Sequence, residues 1–375
     1  MQKCIVIPDS FKGTLQAKEI CDIIEKKIWE FYPECKVKKI PVSDGGEGTV
    51  DCFLSILEAE KIEIFVHNAY MEMIPVYYAR KGNTAIIEMA QAAGLPQVES
   101  RKNPLLTTTY GVGEMILHAV ENGCNDLIIG LGGSCTNDCG CGMATALGAC
   151  FKRKNGERFI PTGGNLKEIC SIDITDLRKR LQEVNIRAMC DIDNPLCGDK
   201  GASVIFGPQK GADEEDVRKL EDNMKCLGKY LEQFFKCKIM NIPGAGAAGG
   251  MGAGIKVFMQ GQLMSGIDLV LDLVNFDTEL EDTDLVITGE GKIDSQSLEG
   301  KAVIGISKRA EKKKVPVVAI VGSIGKGAEK AYAMGVSSMF SINRQAQDFK
   351  ISQYFSKENL EATVGDILRF YKAVK

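Results

Sequence analysis

The sequence predicts an α/β fold in two domains, a parallel sheet layered with helices and a second, mixed α/β domain inserted into it. Three observations predict it. A strand–helix–strand–helix rhythm opens the chain, the same rhythm returns near its end, and short strands joined by tight turns interrupt the two. A chain of 375 residues also exceeds what one simple core accommodates.

Taken in order, Cys4–Ile7 is a short apolar run that Pro8 ends. A helix is expected after Thr14, a residue type that caps helix N-termini. Ile20, Ile24, Ile28 and Phe31 recur there at spacings of three and four, which puts them on one face. Val37–Val42 reads as the second strand, and Thr49 opens a second helix with Val50, Phe53, Leu54 and Leu57 inward. Ile62–Val66, Pro75–Arg80 and Thr84–Met89 then read as consecutive strands, with Lys81-Gly82-Asn83 as the clearest turn. Ile186–Cys190 is a further strand. Towards the C-terminus, Leu285–Ile287 is a strand, a helical stretch runs from about Lys301 to Lys313, and Val317–Val321 is a continuous apolar run of the kind buried on both faces. Helix Ala328–Ala333 and strand Ser338–Ile342 follow. The expected parallel domain, of the Rossmann or flavodoxin-like class, takes residues 1–60 and 281–375; the inserted mixed domain takes 61–280, with the active site in the cleft between them.

Hydrophobic content of 45% and charge of 26% are those of a globular protein. A net charge of −4 gives no general attraction to nucleic acid or anionic lipid, so neither is expected as a partner. An anionic ligand must be held by local devices, loop N–H groups and a few lysines. The N-terminal apolar run is too short for a signal peptide, and no stretch approaches the roughly 20 apolar residues of a membrane span. The expectation is a soluble, cytoplasmic protein, monomer or homodimer. Its 14 cysteines read as reduced thiols acting as small hydrophobes. The tight cluster Cys135-x3-Cys139-x-Cys141 matches no common zinc spacing, and neither His67 nor His118 lies beside it.

Six segments combine glycine with a carboxylate, hydroxyl or lysine at a strand end. They are Pro8–Gly13, Asp44–Thr49, Gly130–Asp138, Cys190–Pro195, Gly244–Gly250 and Thr288–Asp294. Open α/β sheets bind ligands beyond the carboxyl ends of their strands, where such loops lie. Glycine lets backbone N–H groups approach a phosphate, and carboxylates nearby suit Mg²⁺. Each loop alone reads more readily as a plain tight turn than as a ligand site; six in one chain point to a phosphate-handling enzyme. No P-loop is present, since Gly322-Ser323-Ile324-Gly325-Lys326-Gly327 has only a superficial likeness to one. Gly244-x-Gly246-x-x-Gly249 matches the dinucleotide fingerprint by letter, with Asp268 and Asp272 at the ribose-binding distance, but Met240–Pro243 is a poor strand to precede it. His67 and His118 read as structural.

Taken together, these phrases resemble the glycerate kinases of the bacterial type I family. The phrases are Pro8–Gly13, Ser43–Thr49, Thr109–Glu114, Gly132–Ser134 with Thr136–Asp138, Asp191–Gly198, Phe206–Gly211, the Gly244–Gly252 run, and Thr288–Gly291 with Asp294 and Gln296-Ser297. They follow the family's order along nearly the whole chain. Departures are small: Ser43, Cys135 and Cys139 stand where other small residues are expected. The resemblance implies an ATP-dependent kinase acting on D-glycerate, giving 2-phosphoglycerate with 3-phosphoglycerate as the other possible product, and a two-domain fold with one domain inserted in the other.

Individual roles come from chemistry. Phosphoryl transfer needs positioning and charge neutralisation more than covalent steps. Asp191 is the expected general base, paired at i+2 with Asp193; the plain reading is that both cap the turn before Pro195. Lys12 is expected to neutralise the glycerate carboxylate or the moving phosphate, against the reading of an exposed lysine. Gly132, Gly133, Ser134, Thr136 and Asn137 would cradle phosphate, with Asp9, Ser10, Gly45, Gly46 and Gly289 as further substrate- or nucleotide-binding positions. Asp44, Glu47, Glu290 and Asp294 are the Mg²⁺ candidates, at most two of them as ligands. Two other classes compete: an NAD-dependent dehydrogenase of a small hydroxy acid, resting on the Gly244 run, and a non-catalytic sugar-acid or nucleotide sensor.

Overall fold

In the computed structural model, which describes residues 1–11, 13–42, 48–295, 297–299 and 302–374, the chain enters with strand β1 (Lys3–Pro8), helix Ala17–Phe31 and strand β2 (Lys36–Lys39). It continues through β3 (Glu60–His67), β4 (Met73–Lys81), β5 (Thr84–Glu88) and β6 (Asp126–Gly130). A small hairpin of β7 (Cys150–Lys152) and β8 (Ser171–Asp173) precedes β9 (Asn185–Met189) and β10 (Gln262–Met264). β11 (Leu285–Ile293), β12 (Val317–Ile324) and β13 (Ser338–Ser341) close the series. The chain divides into two compact units, Met1–Asp44 with Ile267–Lys375, and Gly45–Gly266.

In the first unit the strands lie in the order β2-β1-β11-β12-β13, and every pair is parallel. Along the chain this is a flavodoxin-like 2-1-3-4-5 order, whose direction reverses between β1 and β11. The apolar run of β1 suits that central place: Cys4, Ile5, Val6 and Ile7 are all fully buried, as a strand covered on both faces requires. Ile20, Ile24 and Ile28 of the first helix and Leu360, Val364 and Leu368 of the C-terminal helix pack into one cluster against the sheet.

Two local expectations change here. Thr14 does not cap the first helix; its hydroxyl donates to the Phe11 carbonyl at 2.9 Å in the Phe11–Leu15 turn. The helix starts at Ala17, and Glu19 accepts the Gln16 N–H at 3.1 Å. The Thr288–Asp294 segment is not a loop for most of its length. β11 runs on to Ile293, with Gly289 and Glu290 opposite Ile320 and Val321 of β12. A Cβ on Gly289 would lie 2.0 Å from the Ile320 carbonyl oxygen, so the glycine serves close strand approach rather than a turn.

The second unit holds a mixed sheet in the order β3-β4-β5-β6-β9-β10. The hairpin pairs β3–β4 and β4–β5 are antiparallel, while β5–β6, β6–β9 and β9–β10 are parallel. Its core includes Tyr78, Ile87, Ile129, Met115, Ile116 and Phe258. No strand precedes the Gly244 run. Within helix Ala247–Phe258, Ala248, Gly249 and Gly250 take φ of 53°, 65° and 89°, so the strand–turn–helix that a dinucleotide fingerprint needs is absent. Among the described residues, no helix is long and apolar enough to cross a membrane.

Candidate active site

The register of the second unit sets Glu88, Gly130, Met189 and Met264 in one row at the carboxyl ends of β5, β6, β9 and β10. The segments that follow therefore emerge along one sheet edge, where α/β proteins bind ligands. After β6 comes the loop Leu131–Asp138. Its backbone is held from the side: the Leu95 N–H donates to the Gly133 carbonyl at 2.8 Å, and the Cys135 N–H to the Ala93 carbonyl at 2.9 Å. Gly132 is half-buried, Gly133 is exposed, and Ser134 retains 6% exposure. Thr136 and Asn137 are fully buried, with the Asn137 amide donating to Ser203 Oγ at 3.1 Å. The structure thus brings the five expected cradle residues into one loop but divides them into an outer edge and an inner support.

Behind this loop lies Lys210, only 2% exposed. Its Nζ donates to Ser134 Oγ at 2.8 Å and to the Thr136 carbonyl at 2.6 Å. Burial pushes the ammonium down to about 8, against the opposite pull of Cys135 and Asp138. The buried Asp138 carboxylate accepts from the Thr109 N–H at 2.7 Å, the Thr109 hydroxyl at 2.8 Å, and the Gly140 and Gly142 N–H groups at 3.2 Å. Burial pushes its carboxyl upward while these donors hold it down. Burial also lifts the Cys135 thiol to about 12 and those of Cys139 and Cys141 well above the ordinary value, so all three are neutral thiols.

β9 delivers Asp191. The Cys190 N–H donates to the Met264 carbonyl at 2.9 Å, and the Gly266 N–H donates to Asp191 Oδ1 at 2.8 Å. The carboxylate is exposed yet oriented, two residues past the end of β9, the strand that pairs with β6. Asp193 is exposed two residues further on. The histidines have partners of their own, His67 with Glu114 at 2.8 Å and His118 with Tyr78 at 3.1 Å.

In the first unit, Asp9 and Ser10 follow β1 at the place where the strand order reverses, beside Gly289 of β11. The Asp9 N–H donates to the Gly289 carbonyl at 2.8 Å, and the Ser10 N–H to the Asp9 carboxylate at 2.6 Å. Glu290 is 7% exposed on the same strand, and Asp294 pairs with Lys292 at 2.9 Å just past its end. Among the described residues, no group of three His, Cys, Asp or Glu side chains is gathered as a metal site. Lys12, Asp44, Gly45, Gly46 and Glu47 lie outside the described residues.

Two charged residues of this region, Lys210 and Asp138, were not singled out from the sequence. Both stand inside phrases that carried the family resemblance, Phe206–Gly211 and Thr136–Asp138, and that was the available signal.

A family model described as the glycerate kinase family matches residues 4–372. A glycerate kinase of Bacillus cereus is 43% identical over 99% of this chain and 98% of its own length. A glycerate 2-kinase of Escherichia coli is 42% identical over 91% of this chain and 90% of its own. Among solved structures, a crystal structure from Salmonella typhimurium LT2 described as a glycerate kinase 2 superposes with a TM-score of 0.87 at 37% identity, covering 99% of this chain and 98% of that one.

Proposed function

The chain belongs to the glycerate kinase family, and from that membership we propose that it transfers the terminal phosphoryl group of ATP to D-glycerate, giving ADP and 2-phosphoglycerate. It is a kinase, and the relatives support neither a dehydrogenase nor a non-catalytic sensor. The observation that carries the reading is the family match over residues 4–372. The choice of the 2-hydroxyl follows the relative named a glycerate 2-kinase. A reducing, cytoplasmic setting is supported by 14 free cysteines.

Asp191 takes the proton of the attacking hydroxyl, a role its exposed carboxylate and the Gly266 N–H support. Asp193 assists from the same loop, and Lys12 neutralises charge on the acid or on the moving phosphate. Gly132, Gly133 and Ser134 offer N–H groups and a hydroxyl to anionic oxygens, with Thr136 and Asn137 as their support. Asp9, Ser10, Gly45, Gly46 and Gly289 bind substrate or nucleotide. Mg²⁺, when bound, neutralises charge on the phosphates. That ion takes one or two carboxylates beside phosphate oxygens and water, and Glu290 and Asp294, with Asp44 and Glu47, are the carboxylates that would hold it.

A coupled ADP-release assay with D-glycerate and Mg-ATP, followed by phosphorus NMR of the product, tests the reading. Turnover with a 2-phosphoglycerate signal is expected; absence of glycerate-dependent ADP removes the kinase reading, and a 3-phosphoglycerate signal removes the regiochemistry. Asp191→Asn should lower kcat by about 10²–10⁴-fold with the fold retained. A loss below about tenfold removes the general-base role.

A further inference from the structure

We propose that Lys210 is a positioning residue for the reaction, a buried cation that acts through the Ser134 hydroxyl to hold an anionic oxygen group of a substrate at the Gly132–Ser134 loop. This rests on the kinase reading above. Lys210 has only uncharged partners, Ser134 Oγ and the Thr136 carbonyl, and among the described residues no carboxylate stands within ion-pairing distance of its Nζ. Asp138 is the negative charge acting on it from nearby, but the Asp138 oxygens are turned to Thr109, Gly140 and Gly142. A cation withdrawn from water without a counter-ion is strongly unfavourable, so an anion that completes its field is bound more tightly.

The hydroxyl in front of it supplies the path. Ser134 Oγ accepts from Lys210, which leaves its own O–H free to donate, and no acceptor for that proton is found among the described residues. Ser134 keeps 6% exposure beside half-buried Gly132 and exposed Gly133. A charge-polarised hydroxyl thus sits in the same short loop as the Gly132 and Gly133 backbone, and a hydroxyl with loop N–H groups is a donor set that recognises carboxylate or phosphate oxygens. The glycerate carboxylate and the ATP phosphates share this chemistry, and steady-state kinetics with each substrate varied in turn distinguishes them.

Lys210→Met and Ser134→Ala are compared with wild type. Each should raise KM for one substrate by about tenfold or more, the scale of a hydrogen bond to a charged group, and by more than it lowers kcat. The substrate whose KM moves identifies the anion. The double variant should be no worse than the poorer single one, because both changes cut the same path. Since the ammonium titrates near 8, with only the Asp138 carboxyl and the Cys135 thiol acting on it, KM for that substrate should climb above that pH in wild type and lose this climb in Lys210→Met. Unchanged KM values in Ser134→Ala, or a kcat that falls as far as KM rises, overturn the proposal. Ser134→Ala decides alone if Lys210→Met shows no cooperative thermal transition. Inorganic phosphate should raise the thermal midpoint of wild type and not of Ser134→Ala. That measurement needs no turnover, so it separates failure of the anion site from failure of the kinase reading.

Discussion

At the scale of single residues, burial decides what the cysteines do. Cys135, Cys139, Cys141 and Cys197 are buried, and loss of solvation raises each thiol, to about 12 for Cys135 and Cys197. The thiolate is the reacting form, so these groups are inert while the fold holds. Cys170 and Cys226 are exposed. Iodoacetamide under native conditions should label those two first and leave Cys135, Cys139 and Cys141 unmodified until denaturant is added, as read by peptide mass spectrometry. Rapid native labelling of the cluster would contradict the neutral, packed thiols described above. The spacing of the cluster and the absence of a neighbouring histidine pointed to reduced thiols, and the family resemblance pointed to small-residue substitution. Lys210 and Asp138 were harder, because lysine and aspartate are ordinarily surface residues and only tertiary packing reveals that each is buried, on separate hydrogen-bond partners. Asp191 was easier: an aspartate directly after an apolar run falls at a strand's carboxyl end whichever neighbours that strand acquires.

Among the elements, the glycine-rich segments diverge most from their appearance as letters. Gly249 has φ of +65°, and a Cβ there would sit 2.0 Å from the Thr136 carbonyl oxygen, the same oxygen that receives Lys210 Nζ. Gly249→Ala thus combines left-handed strain with a clash against backbone that cannot rotate away. It should lower stability by about 2–4 kcal/mol in urea unfolding and shift the loop that Lys210 supports. A midpoint unchanged from wild type would show that the two segments separate easily. The Gly244 run therefore works as a close-packed brace under the Thr136 loop, in place of a dinucleotide turn. Gly289 was misread in the other direction. Periodicity located β11 but ended it at Ile287, since glycine usually signals a turn and only the neighbouring Ile320 carbonyl explains why glycine continues the strand. Strand existence came from apolar patterning; the end of β11 depended on β12, a partner further along the chain.

For the whole molecule, the change from a parallel rhythm to hairpins and back was visible in the sequence, whereas strand order was not, because pairing is a property of the assembled sheet. That order has a consequence for folding. Gly45–Gly266 is continuous and closes a six-stranded sheet within itself. The other unit takes β1 and β2 from the first 44 residues and β11, β12 and β13 from the last part of the chain, with β1 paired to both β2 and β11. A fragment of residues 267–375 would therefore present the β11 edge, from Leu285 to Gly289, without its partner. Unpaired strand edges invite association, and the side chains of Leu285 and Ile287 would lose the cluster formed with Cys4 and Val6. The fragment 45–266 should accordingly unfold in one cooperative urea transition, followed by circular dichroism. The fragment 267–375 should show none and should aggregate, and mixing it with residues 1–44 should restore a transition. A cooperative transition of 267–375 alone would mean that β11, β12 and β13 with their helices suffice, and that β1 is added to a sheet already formed.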